Sequence, residues 1–481
     1  MWRGTSGRSK LSLELPARDR SSYDHSPASA SKLLRGAARR RVVPKQPKQR
    51  RAAARKGGHL GSGFPENLFC LHELGKLPER QRLKVVSQPI PASFAHRTTE
   101  QFYRRTCGER SQPGPPQPPV RFGRIRALAR KEKDAVAARF LRLWTDPALR
   151  AAEIGRMRAT NAEWDFMGRS FLVWSFAEIA LRDPGRKPVC LEAADRIIEE
   201  TLRLESEKGS LYFLMDYARA RPFVDRPARS QFVDGEIALM LASRRAVEEK
   251  AEYQEPLRER VRLMTERMSR SPVLSAESYP DECWTFCNTV ALAAIRASDV
   301  LDGTDHSDLA RVWVRTAREQ LVHRETGLLV SSYALDGTPM DGPEGSSIWM
   351  AVHCLRLVDP EFAADQYARA RRELGRDAFG FGWAREWPPS WRGPMDVDSG
   401  PVIPVLEVSA GSSGLAFLGA SAFGDREYFA SLRTSLDFAA FPVATDGGLR
   451  YAAGNAVGDA VLLYAAVQGP LWKRFGEGLQ Q

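Results

Sequence analysis

The hydrophobic pattern changes sharply along the chain. Residues 1–120 show no sustained apolar periodicity, whereas the remainder consists of long helical patterns separated by short turns. In that remainder six segments are apolar on nearly all sides, which is typical of buried helices. Each of the six segments opens with small or polar residues, and they begin at Arg169, Gly235, Asn288, Gly345, Gly411 and Gly454.

Amphipathic stretches with one charged face lie between the apolar segments, as at residues 249–268, 306–320 and 361–374. Alternation of buried and half-exposed helices predicts an all-α fold over residues 121–481, an α/α toroid of about six helical hairpins. Its inner helices would surround a central cleft, with the ligand site at one mouth of the ring. A helical solenoid is the alternative architecture, but its repeat would be shorter and more regular.

The first 120 residues predict a disordered extension, because they are rich in Arg, Ser, Ala and Pro and can bury little apolar surface. They contain 24 basic and 8 acidic residues, a net charge of +16, which leaves residues 121–481 at −4. Basic tails bind nucleic acid through its phosphates, but no aromatic residues are interleaved with this basic run to stack on bases. We therefore expect a solvated extension rather than a nucleic-acid partner.

Composition is typical of a cytosolic globular protein, with 43% hydrophobic and 27% charged residues. No window approaches the ~18 to 20 apolar residues needed to cross a bilayer. Met1 precedes a basic, polar stretch without the apolar core of a signal peptide. We expect a cytoplasmic protein with reduced thiols and no membrane partner, and a homo-oligomer is compatible with the sequence.

Polar residues at the starts of the apolar helices are candidates for acid/base chemistry. Asp165 is suited either to capping the first buried helix or to proton transfer in the cleft. Glu236 begins an almost wholly apolar helix, so it must be solvated in a cavity, neutral, or paired with an arginine such as Arg229. An acid whose pKa is raised by an apolar lining is a candidate proton donor.

The richest cluster of reactive side chains is residues 278–291. Cys283 and Cys287 stand four apart and would share a helix face, and His353 with Cys354 offers two more ligands for zinc. The spacing is unlike that of known zinc sites, and buried cysteines usually behave as small hydrophobes. We therefore predict no metal.

No cofactor is predicted either. The sequence lacks a phosphate-cradling Gly-rich loop, a dinucleotide fingerprint, a His-Glu-x-x-His motif and a nucleophile elbow. Cofactor-free acid/base chemistry is favoured by elimination.

Two stretches resemble the bacterial linalool dehydratase/isomerase family. One runs from Pro280-Asp281 through Cys-Asn-Thr-Val-Ala at residues 287–291 to the Asp-Gly-Thr at residues 302–304, and the other is residues 163–169. The resemblance implies an α/α toroid. It also implies a cofactor-free lyase and isomerase, which removes or adds water at an allylic terpene alcohol and shifts the double bond.

In that family a carboxylate, a tyrosine, a histidine and two cysteines line an apolar cleft. The resemblance places the carboxylate at Asp165 and the second cysteine at Cys287. The first cysteine falls at Ser278, the tyrosine at Phe171 and the histidine at Glu236, so this chain departs from the pattern three times. Turnover of linalool itself is therefore not assumed.

The sequence predicts a lyase or isomerase that acts by acid/base chemistry on a small molecule, a terpenoid or another alcohol. The alternatives are a carbohydrate hydrolase or epimerase, with rim tryptophans stacking on sugar rings, and a non-catalytic binding toroid. The predicted catalytic residues are Asp165, Glu236, Cys287, Ser278 and Asp281. The predicted substrate-binding residues are Trp164, Phe171, Tyr217, Tyr279, Cys283, Trp284, Asn288, Tyr333, Trp387, Asp396 and Asp398.

Overall fold

Helices joined by short connections make up most of the described chain. The computed structural model describes residues 122–477 except positions 396, 398 and 446, with side chains from residue 131 onward. The predicted disordered extension, residues 1–120, lies outside the described residues. The helices are α1 (Phe122–Thr145), α2 (Pro147–Thr160), α3 (Ala162–Arg182), α4 (Lys187–Lys208), α5 (Gln231–Val247), α6 (Gln254–Arg270), α7 (Thr285–Asp302), α8 (Ser307–Gln320), α9 (Gly345–Leu355), α10 (Pro360–Glu373), α11 (Ala410–Ala422), α12 (Arg426–Ala440), α13 (Ala456–Val467) and α14 (Pro470–Phe475).

Six of these helices form a closed ring. α3 packs against α5, and the contacts continue through α7, α9, α11 and α13, which returns to α3. Each inner helix contains one of the six apolar segments, and most of its residues are buried. The predicted all-α fold, an α/α toroid, is confirmed.

An outer layer of amphipathic helices covers the ring. α4, α6, α8, α10 and α12 each follow an inner helix in the chain, and the predicted amphipathic stretches fall in α6, α8 and α10. α1 packs against α4 and α13 and fills the sixth outer position. Five hairpins are thus consecutive in sequence, whereas the sixth pair joins the first and the last long helices of the described chain.

Short antiparallel strands occupy the loops between the helices. β1, β2 and β3 form one sheet, and β1 directly precedes α7 in the chain. In this sheet Cys283 of β1 pairs with Tyr333 of β2. The other strands form separate hairpins. The strands are β1 (Cys283–Trp284), β2 (Ser332–Tyr333), β3 (Pro339–Asp341), β4 (Gly375–Ala378), β5 (Phe381–Ala384), β6 (Val402–Ile403), β7 (Val408–Ser409), β8 (Pro442–Thr445) and β9 (Gly448–Tyr451).

The carboxyl-terminal ends of the inner helices are covered by residues 468–477, which we call the base segment. Glu178 of α3 accepts hydrogen bonds from the backbone N–H groups of Gly469 (2.8 Å) and Leu471 (3.1 Å). Arg474 donates to the carbonyl oxygen of Ala246 at the end of α5. The base segment therefore closes one end of the ring. No helix of the described chain is long and apolar enough to cross a membrane.

The amino-terminal ends of the inner helices meet at the opposite end, which we call the amino end of the ring. Thr285 N, at the start of α7, donates to Ser331 O (2.9 Å), and Gly345 N, at the start of α9, donates to Glu386 O (2.7 Å). α5 and α7 approach closely, since a Cβ at Gly235 would lie 3.2 Å from the backbone nitrogen of Ala291. This close approach brings the polar residues at the starts of these two helices together.

Candidate active site

Glu236 is the most unusual ionisable residue of the ring. It lies on α5, is wholly buried, and neither carboxyl oxygen has a hydrogen-bond partner of normal geometry among the described residues. Burial raises the pKa of Glu236 from its usual 4.5 to about 8, and the nearby Ser170 hydroxyl of α3 partly opposes the shift. Glu236 is therefore mostly protonated at neutral pH and can donate a proton.

Cys287 lies close to Glu236 across the contact between α5 and α7. Burial raises the pKa of the Cys287 thiol well above its usual value, the Ser278 hydroxyl lowers it somewhat, and the nearby charges of Glu163 and Glu236 raise it further. The Ser278 hydroxyl also accepts from the backbone N–H of Trp284 at 3.3 Å. Three predicted catalytic residues, Glu236, Cys287 and Ser278, are therefore neighbours in the structure. The Cys287 thiol and the Ser278 hydroxyl are both neutral.

A second carboxylate reaches the same region from the start of α3. The Tyr279 hydroxyl donates a hydrogen bond to Glu163 Oε1 and accepts one from Met215 N at 2.9 Å. The ring of Tyr279 stacks on Tyr217, with 4.6 Å between the centroids and 14° between the planes. Cys287 has both Glu163 and Glu236 as electrostatic neighbours.

Asp165 takes part in buried ion pairs near the start of α3. Its carboxylate, which is buried, pairs with Arg169 at 2.8 Å and with Arg158 at 3.3 Å. Arg169 in turn pairs with Glu200 of the outer helix α4 at 2.9 Å. The recorded contacts of Asp165 therefore face the outer layer, and none of them reaches Glu236 or Cys287. Its catalytic role stays a prediction, and the ion pairs account for its charge.

Asp281 lies in a partly exposed turn. It adopts a left-handed conformation with φ of 54° in the turn before β1, and its backbone N–H donates to the buried carboxylate of Glu277 at 2.5 Å. Its own carboxylate is half exposed and lies 3.9 Å from Arg221. These contacts hold a surface turn in place, and a catalytic role for Asp281 stays a prediction.

Several predicted substrate-binding residues are engaged in the framework of the amino end. The Asn288 amide binds both backbone groups of Ala276, accepting at 2.9 Å and donating at 3.1 Å. The Tyr333 hydroxyl lies 2.8 Å from the Ser275 hydroxyl. Cys283, buried next to Tyr333, has its pKa raised mainly by burial. Substrate binding by these residues stays a prediction.

Phe171 and the three tryptophans predicted to bind substrate do not form one cluster with the tyrosines described above. Phe171 is buried and packs against Trp174, with 5.1 Å between the ring centroids. Trp164 is partly buried against the hydrophobic core. Trp284 and Trp387 are partly buried at the amino end, and the indole N–H of each is buried without a partner among the described residues. Asp396 and Asp398 lie outside the described residues.

Two residues of this region were not among the predicted site residues. Glu163 lies two residues before Asp165 in the sequence. Only its hydrogen bond with Tyr279 in the folded chain identifies it as part of the candidate site. Cys354 of α9 is wholly buried, and Glu236 raises the pKa of its thiol together with burial. Among the described residues no group of three or more His, Cys, Asp or Glu side chains is arranged to hold a metal ion.

The family resemblance is confirmed by a match to a family model. Residues 235–457 match linalool dehydratase/isomerase. The match to linalool dehydratase/isomerase includes Glu236, Cys287 and Cys354, whereas Glu163 and Asp165 precede it. No curated protein gives a significant match.

Solved structures with a similar arrangement of helices include several carbohydrate-active enzymes. They include unsaturated glucuronyl hydrolase from Bacillus sp. GL1 (12% identity, TM-score 0.42, 64% of this chain and 86% of that chain). A glycoside hydrolase family 76 mannosidase from Bacteroides thetaiotaomicron has 12% identity and a TM-score of 0.40, covering 64% of this chain and 87% of that chain. A family 105 glycoside hydrolase from C. acetobutylicum has 11% identity and a TM-score of 0.40, covering 69% and 99%. These values are too low to indicate a shared reaction.

Proposed function

We propose that the protein is a cofactor-independent lyase or isomerase that acts on a small, largely apolar alcohol. The observation that carries the proposal is the burial of the Glu236 carboxyl group, which has no hydrogen-bond partner of normal geometry among the described residues and is an electrostatic neighbour of the Cys287 thiol, as Glu163 is. A fold rarely retains an unsatisfied buried carboxyl group unless a ligand satisfies it. The match to linalool dehydratase/isomerase supports the reaction class.

In the proposed reaction the two acids have opposite roles. Protonated Glu236 gives its proton to the substrate hydroxyl, so the C–O bond breaks and water leaves. The Glu163 carboxylate, held by the Tyr279 hydroxyl, removes a proton from a neighbouring carbon, and the electrons of that C–H bond form the double bond. The products are an alkene and water, and the two acids exchange protons with solvent to restart the cycle. Addition of water is the reverse of these steps.

The surroundings of the pair suit an apolar substrate. The buried thiols of Cys287 and Cys354 are electrostatic neighbours of Glu236. Phe232 and Phe286 on the adjoining helices are buried, with 6.3 Å between their ring centroids. Such a lining excludes water and protects a developing carbocation from premature capture.

Conversion of allylic and tertiary alcohols to alkenes, followed by gas chromatography, tests this proposal. Glu236→Gln and Glu163→Gln should each lower the rate by roughly 10²- to 10⁴-fold, the usual contribution of a general acid or base. Glu282→Gln is the matched control, because Glu282 lies at the same end of the ring but pairs outward with Arg221 at 3.3 Å. Full activity of Glu236→Gln would rule out the proposed acid.

A further inference from the structure

The connection between α4 and α5, residues 209–230, is anchored on the start of α3. Its Phe213 packs on Phe166 of α3, with 4.5 Å between the ring centroids. Phe166 also packs edge-on against Phe232 at the start of α5, with 5.1 Å between the centroids. Glu163 precedes Phe166 by three residues, and positions three apart are neighbours on the surface of a helix. The connection is therefore held close to the helical turn that carries Glu163.

A turn just before β1 binds the same connection. Within this turn the backbone of Tyr279 exchanges two hydrogen bonds with that of Glu282, at 3.2 and 2.9 Å. The buried carboxylate of Glu277 accepts from the backbone N–H groups of Val224 and Asp225 in the connection, at 2.9 and 2.7 Å. These contacts fix the backbone of Tyr279 relative to the connection between α4 and α5.

The hydroxyl of Tyr279 joins the connection to Glu163. It accepts a hydrogen bond from the backbone N–H of Met215 at 2.9 Å and donates one to Glu163 Oε1. The Tyr279 ring is 3% exposed and stacks on Tyr217, which restricts its rotation. A phenol proton lies in the plane of its ring at one of two positions. Because the Met215 N–H occupies one of them, the proton is directed to the other, toward Glu163.

The Met215 N–H also strengthens the bond to Glu163. An N–H group that donates to a hydroxyl oxygen polarises the O–H bond, so successive hydrogen bonds reinforce one another. A carboxylate can only accept, whereas a protonated carboxyl group carries a donor of its own. A hydroxyl whose proton already points at Glu163 therefore favours the carboxylate over the protonated acid.

Other ionisable groups near Glu163 are paired or neutral. Asp165 on the same helix pairs with Arg169 and Arg158. On α7 the Cys287 thiol is neutral, because burial raises its pKa well above the usual value. The hydroxyl of Tyr279 is thus the group through which the connection can act on Glu163.

We propose that Tyr279 is a positioning residue whose hydroxyl proton is directed onto Glu163 by the backbone N–H of Met215. The connection between α4 and α5 thereby keeps the base in its carboxylate form. The inference rests on the proposed role of Glu163 as the base. It concerns only the position of one proton, so no bond between heavy atoms forms or breaks.

Met215→Pro removes the decisive N–H group from the full chain. Met215 has φ of −62° and ψ of 150°, which proline adopts without strain. Leu214 has φ of −99° and ψ of 161°, a conformation allowed before proline. Met215→Ala is the matched control, because it loses the same side chain and retains the N–H. The difference between these two variants therefore reports on the backbone hydrogen bond.

A double-mutant cycle measures the bond without using activity. The free energies of unfolding of Tyr279→Phe, Glu163→Gln and the double variant give the coupling of the pair and cancel the other contacts of each residue. With Met215→Ala the coupling should amount to about tenfold in the unfolding equilibrium constant, as expected of a hydrogen bond to a charged group. With Met215→Pro it should fall severalfold. Tyr253→Phe is the control, since its hydroxyl contacts Lys250 at 3.1 Å and should show no coupling to Glu163.

Two further measurements support the cycle. In alcohol conversion the acid limb of the pH–rate profile should move to higher pH in Tyr279→Phe and Met215→Pro but not in Met215→Ala. Should Met215→Pro fail to fold, isotope-edited infrared spectra of the parent protein and Tyr279→Phe isolate the carbon–oxygen band of Tyr279. A hydroxyl that both donates and accepts supports the proposal, and one that only donates overturns it.

The outcomes separate the positioning role from the proposed reaction. Equal coupling in Met215→Pro and Met215→Ala, or equal loss in both, overturns the role of the N–H. Loss confined to Met215→Pro supports it even if no alcohol is converted, and in that case only the proposed reaction fails. If turnover requires Glu163 but Tyr279 and Glu163 show no coupling, the reaction stands and the role of Tyr279 is rejected.

Discussion

Buried acids of the same chemical type have different partners in this protein. Within the described part of the chain Glu236 has no hydrogen-bond partner of normal geometry, whereas Asp165 pairs with two arginines and Asp234 with three. Glu277 accepts from the backbone N–H groups of Val224, Asp225 and Asp281. The arginines beside Asp234 lower the pKa of that carboxyl group against the effect of burial, whereas burial of Glu236 raises its pKa. The local sequence around these acids does not distinguish the cases.

Glu236→Gln should change how stability depends on pH. Between about pH 4.5 and 8 the folded protein holds a proton on Glu236 that the unfolded chain has released, so the stability of the parent protein falls as pH rises. Glutamine does not titrate and removes this decline. The free energy of unfolding of Glu236→Gln, minus that of the parent protein, should therefore rise by on the order of 4 kcal/mol between pH 4 and pH 8. Thermal or urea unfolding across this range measures the gain.

Parallel stability curves for the parent protein and Glu236→Gln would contradict this prediction. They would mean that water or a ligand solvates the carboxylate in solution. The alkaline limb of any activity profile should also fall near pH 8, because only the protonated form donates.

Asp165→Asn should destabilise the fold rather than affect proton transfer alone. It breaks a buried pair with Arg169 and leaves that arginine, which is 2% exposed, with one acidic partner fewer. Removal of one partner of a buried pair costs roughly 3 kcal/mol. Asp308→Asn, at an exposed pair on α8, should change the melting temperature little. Loss of activity at unchanged stability would instead support the predicted catalytic role of Asp165.

At the level of the elements, close helix packing decides which side chains meet. α5 and α7 approach closely at Gly235 and Ala291. Gly235 directly precedes Glu236, and Ala291 lies one helical turn after Cys287. The antiparallel pairing of β1 with β2 fixes the chain just before α7 and places Cys283 opposite Tyr333. An apolar pattern predicts each of these helices, but it does not fix their rotation or their separation.

Gly168→Ala and Gly235→Ala should have opposite effects. Both glycines lie in inner helices, where alanine is favoured by roughly 0.5 to 1 kcal/mol. At Gly168 the nearest atom to an added Cβ is Met157 Sδ at 3.9 Å, so the variant should be more stable. At Gly235 the Cβ would press on the backbone of Ala291 at 3.2 Å, and a net loss of about 1 kcal/mol or more is expected.

Urea unfolding measures the change in the free energy of unfolding for each variant, provided that the slope of this free energy against urea concentration stays the same. If Gly235→Ala proved as stable as the parent protein, the close approach of α5 and α7 would not be a requirement of the fold.

The whole molecule is a ring closed by contacts between distant parts of the chain. α13 returns to α3, and α1 supplies the sixth outer helix. The base segment covers one end, where Trp472 stacks on His353 with 4.3 Å between the ring centroids and donates to the backbone carbonyl of His353 at 3.2 Å. Because one end is covered, the candidate site lies toward the other.

Trp472→Ala should destabilise the entire ring. The indole is buried between the base segment and the inner helices, and truncation of such a side chain costs roughly 3 to 5 kcal/mol. Phe379→Ala is the control, because Phe379 is fully exposed at the turn between β4 and β5, and its change should stay within about 0.5 kcal/mol. A local effect confined to the base segment in hydrogen exchange, with unchanged global stability, would contradict a role in closing the ring.

The sequence by itself determined the number and order of the inner helices, because burial on all sides leaves an apolar pattern that needs no knowledge of neighbours. It also singled out Glu236, since a charge at the start of a wholly apolar helix is visible locally. The match to linalool dehydratase/isomerase likewise follows from linear motifs.

Only the tertiary structure decided which polar residues share a site. Asp165 and Glu163 are two residues apart in one helical turn, so their side chains project in different directions, one toward the arginines of the outer layer and the other toward Tyr279. Tyr279 reaches Glu163 from more than one hundred residues away along the chain. Such meetings depend on helix rotation and ring closure, which arise from packing of the whole chain rather than from any local pattern.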